Sequence, residues 1–165
     1  MCADLIGPLY GYALSLVGNR HLAEDLVQDT FMRLVNLMRD EKLRNRSGTV
    51  RSLVFTILHN LAIDRRRTAK LTVPLDDTIP ARTDPSLEHA ALRDEIDVAL
   101  AQIPVNYREA IALREFGELS YDEIAKTLNA TLPEVRTWIH RGRKQLATLL
   151  SHHQRYAAAN EDRSS

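Results

Sequence analysis

The sequence has one cysteine in 165 residues, Cys2, which excludes a disulfide framework and any cysteine-rich zinc site. Glycine and proline number only six each, so collagenous and low-complexity architectures are excluded as well. There is no run of 18 apolar residues and no charged-then-apolar leader, so a soluble, cytoplasmic chain without membrane insertion is expected. Net charge is also missing: 22 Lys and Arg balance 22 Asp and Glu, which argues against a simple polyanion-coating protein. Histidines 21, 59, 89, 140, 152 and 153 are scattered, and none forms an HExxH pattern or pairs with cysteine at metal-ligand spacing. A glycine-rich phosphate loop and a nucleophile elbow are absent too. No metal, cofactor or catalytic residue is therefore expected, and the chain does not read as an enzyme.

What is present is uneven. Residues 1–67 carry ten basic and seven acidic groups, residues 68–100 three and seven, and residues 101–165 nine and eight. Two mildly basic blocks thus flank an acidic middle. Strand signals are nearly absent and helical spacing recurs throughout, so the fold class is all-α. A first helix is expected from about Leu5 or Pro8 to Val17, with Pro8 in its opening turn, Leu5, Leu9, Tyr12, Ala13 and Leu16 on one stripe, and Gly18-Asn19 closing it. A second helix over 20–38 buries Leu22, Leu26, Val27, Thr30, Phe31, Leu34 and Met38 and turns Glu24, Asp25, Gln28, Asp29 and Arg33 outward. After a polar loop at 39–48, a long helix from about Thr49 to Ala69 has Val50, Leu53, Val54, Ile57 and Leu61 on its inner stripe. These three helices make a first small domain, 1–69. Residues 70–85 carry three prolines and little periodicity and read as a linker. A second domain over 86–151 starts with an acidic helix near 86–102, its Leu92, Ile96, Leu100 and Ile103 inward. A helix near 106–116 follows, and residues 152–165 read as a polar tail.

The most informative stretch comes next. Ser120-Tyr121-Asp122-Glu123 has the form of a capping box, and Thr131-Leu132-Pro133-Glu134 repeats it eleven residues later. Two helix starts at that distance leave room for a two-turn helix and a tight turn. Asn129 stands where the turn needs a left-handed residue, and Ala125 is small where the second helix crosses. The second helix buries Val135, Ile139, Leu146 and Leu149 and displays Arg136, Thr137, His140, Arg141, Arg143 and Lys144. This is the layout of a helix-turn-helix whose second helix enters the major groove, with side chains at base edges and cations on phosphate.

With these motifs in order, the chain resembles the extracytoplasmic-function sigma factors of bacteria. AEDLVQDTF (Ala23–Phe31) resembles the polymerase-binding segment of that family, and VRSLVFTILHNLAIDRRR (Val50–Arg67) resembles its −10-reading and promoter-melting helix. LREFGELSYDEIAKTL (Leu113–Leu128) with VRTWIHRGRKQL (Val135–Leu146) resembles its −35-reading domain. The resemblance implies an alternative sigma factor that binds core RNA polymerase through the β′ clamp helices and the β flap, selects promoter DNA, and is restrained by an anti-sigma factor. It assigns polymerase contacts to Glu24, Asp25, Gln28, Asp29 and Arg33. Contacts to the −10 strand, from which one base is flipped, fall to Asn45, Arg46, Ser47, Arg51, Phe55, Asn60, Asp64, Arg65, Arg66 and Arg67. Contacts to the −35 duplex fall to Thr131, Glu134, Arg136, Thr137, His140, Arg141, Arg143 and Lys144.

Departures from the family pattern carry expectations of their own. A leading helix seen in many members is expected to be missing before Leu5. Leu53 replaces a common aromatic, which leaves Phe55 as the nearby ring for stacking on melted bases. Trp138 replaces a common arginine on the recognition helix and is expected either to pack against the preceding helix or to touch a thymine methyl. The alternative to the sigma reading is a helix-turn-helix regulator, or a sigma-like mimic that titrates an anti-sigma factor. The Ala23–Phe31 face separates the two, since a plain repressor has no use for it.

Overall fold

In the computed structural model the described residues are 3–40, 48–72 and 98–161. They form no strand and include the helices α1 (Ala3–Val17), α2 (Arg20–Arg39), α3 (Val50–Thr72), α4 (Val105–Glu115), α5 (Tyr121–Leu128) and α6 (Leu132–Glu161). Residues 98–101 are helical ahead of α4. The expected loop residues 41–47 and most of the expected linker and acidic helix, 73–97, lie outside the described residues, Leu92 and Ile96 among them.

Local chemistry sets the ends of the helices. Gly18, at φ +66°, takes the left-handed turn that ends α1 and donates its N–H to the Leu14 carbonyl at 2.8 Å. Asn19 then caps α2, its side chain accepting from the Leu22 N–H at 3.2 Å. Pro8 is not in an opening turn as expected. It lies inside α1, whose start at Ala3 precedes it by more than a turn, so the Asp4 carbonyl has no N–H to receive at that position. α3 runs on through Thr72, three residues into the expected linker, and α6 runs on to Glu161 through most of the expected tail.

The α1–α3 core holds Leu9, Tyr12, Ala13, Leu16, Ala23, Leu26, Val27, Leu34, Val54, Phe55, Ile57, Leu58 and Ala62. The buried Thr30 hydroxyl is satisfied by the Leu26 carbonyl at 2.6 Å. Three expected core positions are instead exposed: Leu22, Met38 and Val50. Each lies in the first or last turn of its helix. Of the rest, Leu53, Leu61 and Phe31 are half-buried.

The α4–α6 core is continuous with this one. Ala110, Leu113, Leu119, Ile124, Ala125, Val135 and Ile139 belong to the same cluster as Tyr12 and Phe55. The halves expected to be separate units on a tether therefore share an interior. Gly11 of α1 lies so close to Phe116 that a Cβ there would sit 2.7 Å from the ring. Thr56 and Thr127 hydroxyls meet at 2.8 Å, and the Thr49 hydroxyl donates to the Glu123 carboxylate at 3.0 Å.

A polar pair is buried beside that junction. The Tyr12 hydroxyl and His59 Nδ1 are 2.9 Å apart. Burial first, with Glu109 adding to it against Arg66, pushes the Tyr12 hydroxyl well above its ordinary value, so it stays protonated. Burial also holds His59 below its ordinary 6.5; Glu109 opposes this and Arg66 reinforces it. A depressed histidine means that the unfolded chain takes up the proton first as pH falls. The stability that neutral His59 contributes is therefore complete above about pH 6.5 and is lost as pH falls from there through the lower folded value. Urea titrations from pH 7.5 to 5 are expected to show this decline. The decline should be shallower in His59→Gln, and equal slopes in both proteins would refute the assignment.

Candidate nucleic-acid interface

Both expected capping boxes form. Ser120 Oγ accepts from the Glu123 N–H at 3.2 Å, and the Glu123 carboxylate accepts from the Ser120 N–H at 2.9 Å. Partial burial pushes the Glu123 carboxyl up. The Ser120 backbone N–H and the hydroxyls of Thr49, Ser120 and Ser52 outweigh that and hold it below its ordinary value. At the start of α6 the Thr131 N–H donates to Glu134 at 2.8 Å and the Glu134 N–H donates to Thr131 Oγ1 at 3.4 Å. Hydrogen bonds from the Thr131 backbone and then its hydroxyl lower the Glu134 carboxyl. Asn129 takes the left-handed conformation, φ 52° and ψ 49°, so α5 and α6 form a helix-turn-helix.

Along α6 the geometry sorts the expected contact residues. Arg136, His140, Arg141, Arg143 and Lys144 are exposed and Thr137 is half-buried. Arg143 is tethered to Glu115 at 2.8 Å, whereas Thr131 and Glu134 are engaged with each other as the cap. Trp138 is half-buried and packs against the core. Of the expected buried stripe, Val135 and Ile139 are buried and Leu146 and Leu149 half-buried. Gly142 was not singled out by sequence. A Cβ there would lie 2.6 Å from Ile111 Cδ1 and 3.3 Å from Tyr107 Cβ, so the glycine lets α6 cross α4 closely. A glycine in a helix interior costs roughly 0.5–1 kcal/mol relative to alanine, and that apparent defect was the available signal.

On α2, Glu24, Asp25, Gln28 and Arg33 are exposed, as expected. Asp29 is half-buried and ion-paired with Arg65, so it joins α2 to α3. Exposed Met32 and Val35 extend the Asp25–Gln28 ridge at helical spacing, an apolar continuation that sequence reasoning passed over. Arg33 instead borders a groove of about 390 Å³ together with Asn36, Leu37, Asp40, Ile57 and Asn60. Asn45, Arg46 and Ser47 lie outside the described residues.

The remaining α3 residues divide into two groups. Asn60, Asp64 and Arg67 are exposed. Arg51, Phe55 and Arg66 are engaged by α4 and the turn after it. Arg51 donates to the Phe116 and Gly117 carbonyls, the former at 3.2 Å, and lies 3.7 Å from Glu118. Arg66 pairs with Glu109 at 3.2 Å and donates to the Leu16 carbonyl at 2.8 Å. Phe55 is fully buried, its ring 5.6 Å from that of Tyr12, so in this form it is not the available stacking platform that was expected.

Two protein families match successive parts of the chain. Sigma-70 region 2 matches residues 3–72, and Sigma-70, region 4 matches residues 93–146. The chain is 31% identical over 146 residues to the ECF RNA polymerase sigma factor SigM of Bacillus subtilis, covering 86% of this chain and 87% of SigM. The chain belongs to the ECF sigma factors. It is also 36% identical over 154 residues to SigE of Mycolicibacterium smegmatis, a match covering 88% of this chain but only 58% of that longer relative. In fold it is similar to the sigma factor RpoE solved with the anti-sigma factor NepR from Bartonella quintana, with a TM-score of 0.74, 24% identity and coverage of 90% and 93% of the two chains. Like other ECF sigma factors it is an alternative-sigma transcription initiation factor and not an enzyme. Among its described residues no helix is long and apolar enough to cross a membrane.

Proposed function

We propose that this ECF sigma factor acts in the cytoplasm by holding core RNA polymerase with α2 and the two promoter elements with α3 and α6. The observation that carries the reading is the α5–α6 helix-turn-helix with Arg136, His140, Arg141 and Lys144 exposed along one helix. Those side chains read and grip the −35 duplex. The groove of about 390 Å³ between Arg33, Asn36 and Asn60 has hydrogen-bond donors on its walls and receives the base flipped from the −10 strand. Asp64 and Arg65–Arg67 flank that strand, and Asn45, Arg46 and Ser47 complete its contacts. The Glu24, Asp25, Gln28 ridge, continued by Met32 and Val35, rests on the β′ clamp helices, and the second half meets the β flap. The expected boundaries 1–69, 70–85, 86–151 and 152–165 carry this division, with α3 running past the first to Thr72 and α6 past the third to Glu161. An anti-sigma partner of the kind bound to the Bartonella protein restrains the free factor.

Run-off transcription with purified core RNA polymerase on a genomic promoter library tests the whole reading; the absence of transcripts from any defined start would end it. Asp25→Arg is the cleaner probe of the polymerase face, because Asp29 already serves Arg65. It is expected to weaken core binding roughly tenfold, about 1.4 kcal/mol, and to leave the unfolding midpoint unchanged. Unaltered affinity for core would remove α2 from that interface.

A further inference from the structure

One cation in the molecule is not satisfied by its surroundings. Arg108, the fourth residue of α4, is half-buried, and its Nε is shut away from solvent with no hydrogen-bond partner among the described residues. A guanidinium keeps its charge at any ordinary pH, so it cannot escape burial by losing a proton. Burial first, and then the neighbouring Arg66 guanidinium, work against the charged form of Arg108, and Glu109 opposes them without reversing the effect. Glu109 is already committed, with its carboxylate 3.2 Å from Arg66 and its side chain only 12% exposed. Arg66 gives its other terminal nitrogen to the Leu16 carbonyl at 2.8 Å. Tyr12 and His59, the other titratable groups that feel Glu109 and Arg66, are neutral. Two guanidiniums against one carboxylate leave this cluster with an excess positive charge.

The start of α4 has the same deficit. Its N-cap, Pro104, makes no side-chain cap bond, and its first turn holds no acidic residue, although a helix start favours negative charge. A long side chain on a helix leans back over the turn before it, which carries the Arg108 guanidinium toward that start. We propose that Arg108 and Arg66, beside the start of α4, form a binding site for a single phosphate group, free or carried by a nucleotide. A phosphate brings the missing negative charge and several acceptor oxygens, in a geometry that guanidinium forks match and that can bridge two of them. Leaving a buried, charged donor unpaired is among the more costly polar defects in a fold, and the ion removes it. Arg66 is shared with the proposed −10 face and Arg108 is not, so the test turns on Arg108 and stands whether or not that reading holds.

The test is a titration of the full-length protein with sodium phosphate, against sodium chloride at the same ionic strength. Phosphate about tenfold above its dissociation constant should raise the thermal midpoint by about 3–6 °C. Phosphorus NMR should show the inorganic phosphate line broadened by the protein. Arg108→Met keeps an apolar stem of similar length and removes the charge. It should abolish both the phosphate-dependent rise and the broadening, and in phosphate-free buffer it should melt no lower than wild type, because a desolvated cation is gone. A phosphate response that survives in Arg108→Met overturns the proposal, since the ion then sits elsewhere. Adenosine monophosphate and adenosine separate the sources. A larger rise with the nucleotide than with phosphate assigns a nucleotide, and an equal or smaller one assigns the free ion. Adenosine alone matching the nucleotide overturns the phosphate assignment. No rise and no broadening with either phosphate source overturns the site and leaves the Arg108 donor to water.

Discussion

Phe55→Ala is expected to destabilise the fold by about 3–5 kcal/mol, a large share of what a chain of this size possesses. The ring is fully buried between Tyr12 and the turn at Gly117, with the Arg51 guanidinium 5.8 Å from its centroid. Removing it leaves a cavity at the point where the two halves share a core. Urea denaturation followed by circular dichroism measures the loss, and Phe55→Leu should recover much of it because it restores most of the volume. A Phe55→Ala protein with a wild-type midpoint would mean that the ring is not in the core, and would favour a surface ring that only stacks on bases.

Arg136→Ala is expected to reduce transcription from promoters that depend on the −35 element by roughly 10–100-fold, the range for one lost base contact of about 1–3 kcal/mol. Promoters carried mainly by their −10 element should fall much less. Binding should also weaken steeply with salt, because the phosphate contacts proposed for α6 would release counterions. Arg143→Ala should do less than Arg136→Ala, since Arg143 already has Glu115 as a partner. Competition on promoters mutated in one element at a time separates these effects. Equal loss on both sets would remove Arg136 from −35 recognition.

How much of this was legible in the sequence depends on how local the signal is. The helix-turn-helix was legible in detail because a capping box spans four residues and the left-handed turn at Asn129 is a one-residue preference. The α1–α2 joint at Gly18-Asn19 was legible for the same reason. Periodicity placed the long helices but misjudged Leu22, Met38 and Val50, because a stripe says which side is apolar and not how far the neighbouring helix extends. Pro8 was placed too early, since proline is tolerated in a first turn and the true start at Ala3 carries little signal. The engagement of Arg51, Phe55 and Arg66 by α4 and its turn had no local signature. Those partners are 43 to 66 positions away, and only glycines at 11, 117 and 142 hinted that backbones come close.

The fit of Gly11 beneath Phe116 bears on how new factors of this kind arise or are engineered. Exchanging the half proposed to read the −35 element for that of a paralogue would not be the change of an independent module, because the two halves share a core. A chimaera built across this seam inherits one side of a matched surface and must find the other side in its new companion. Hybrids with mismatched seams should lose stability, so residues remote from any base would help decide which recombinants survive.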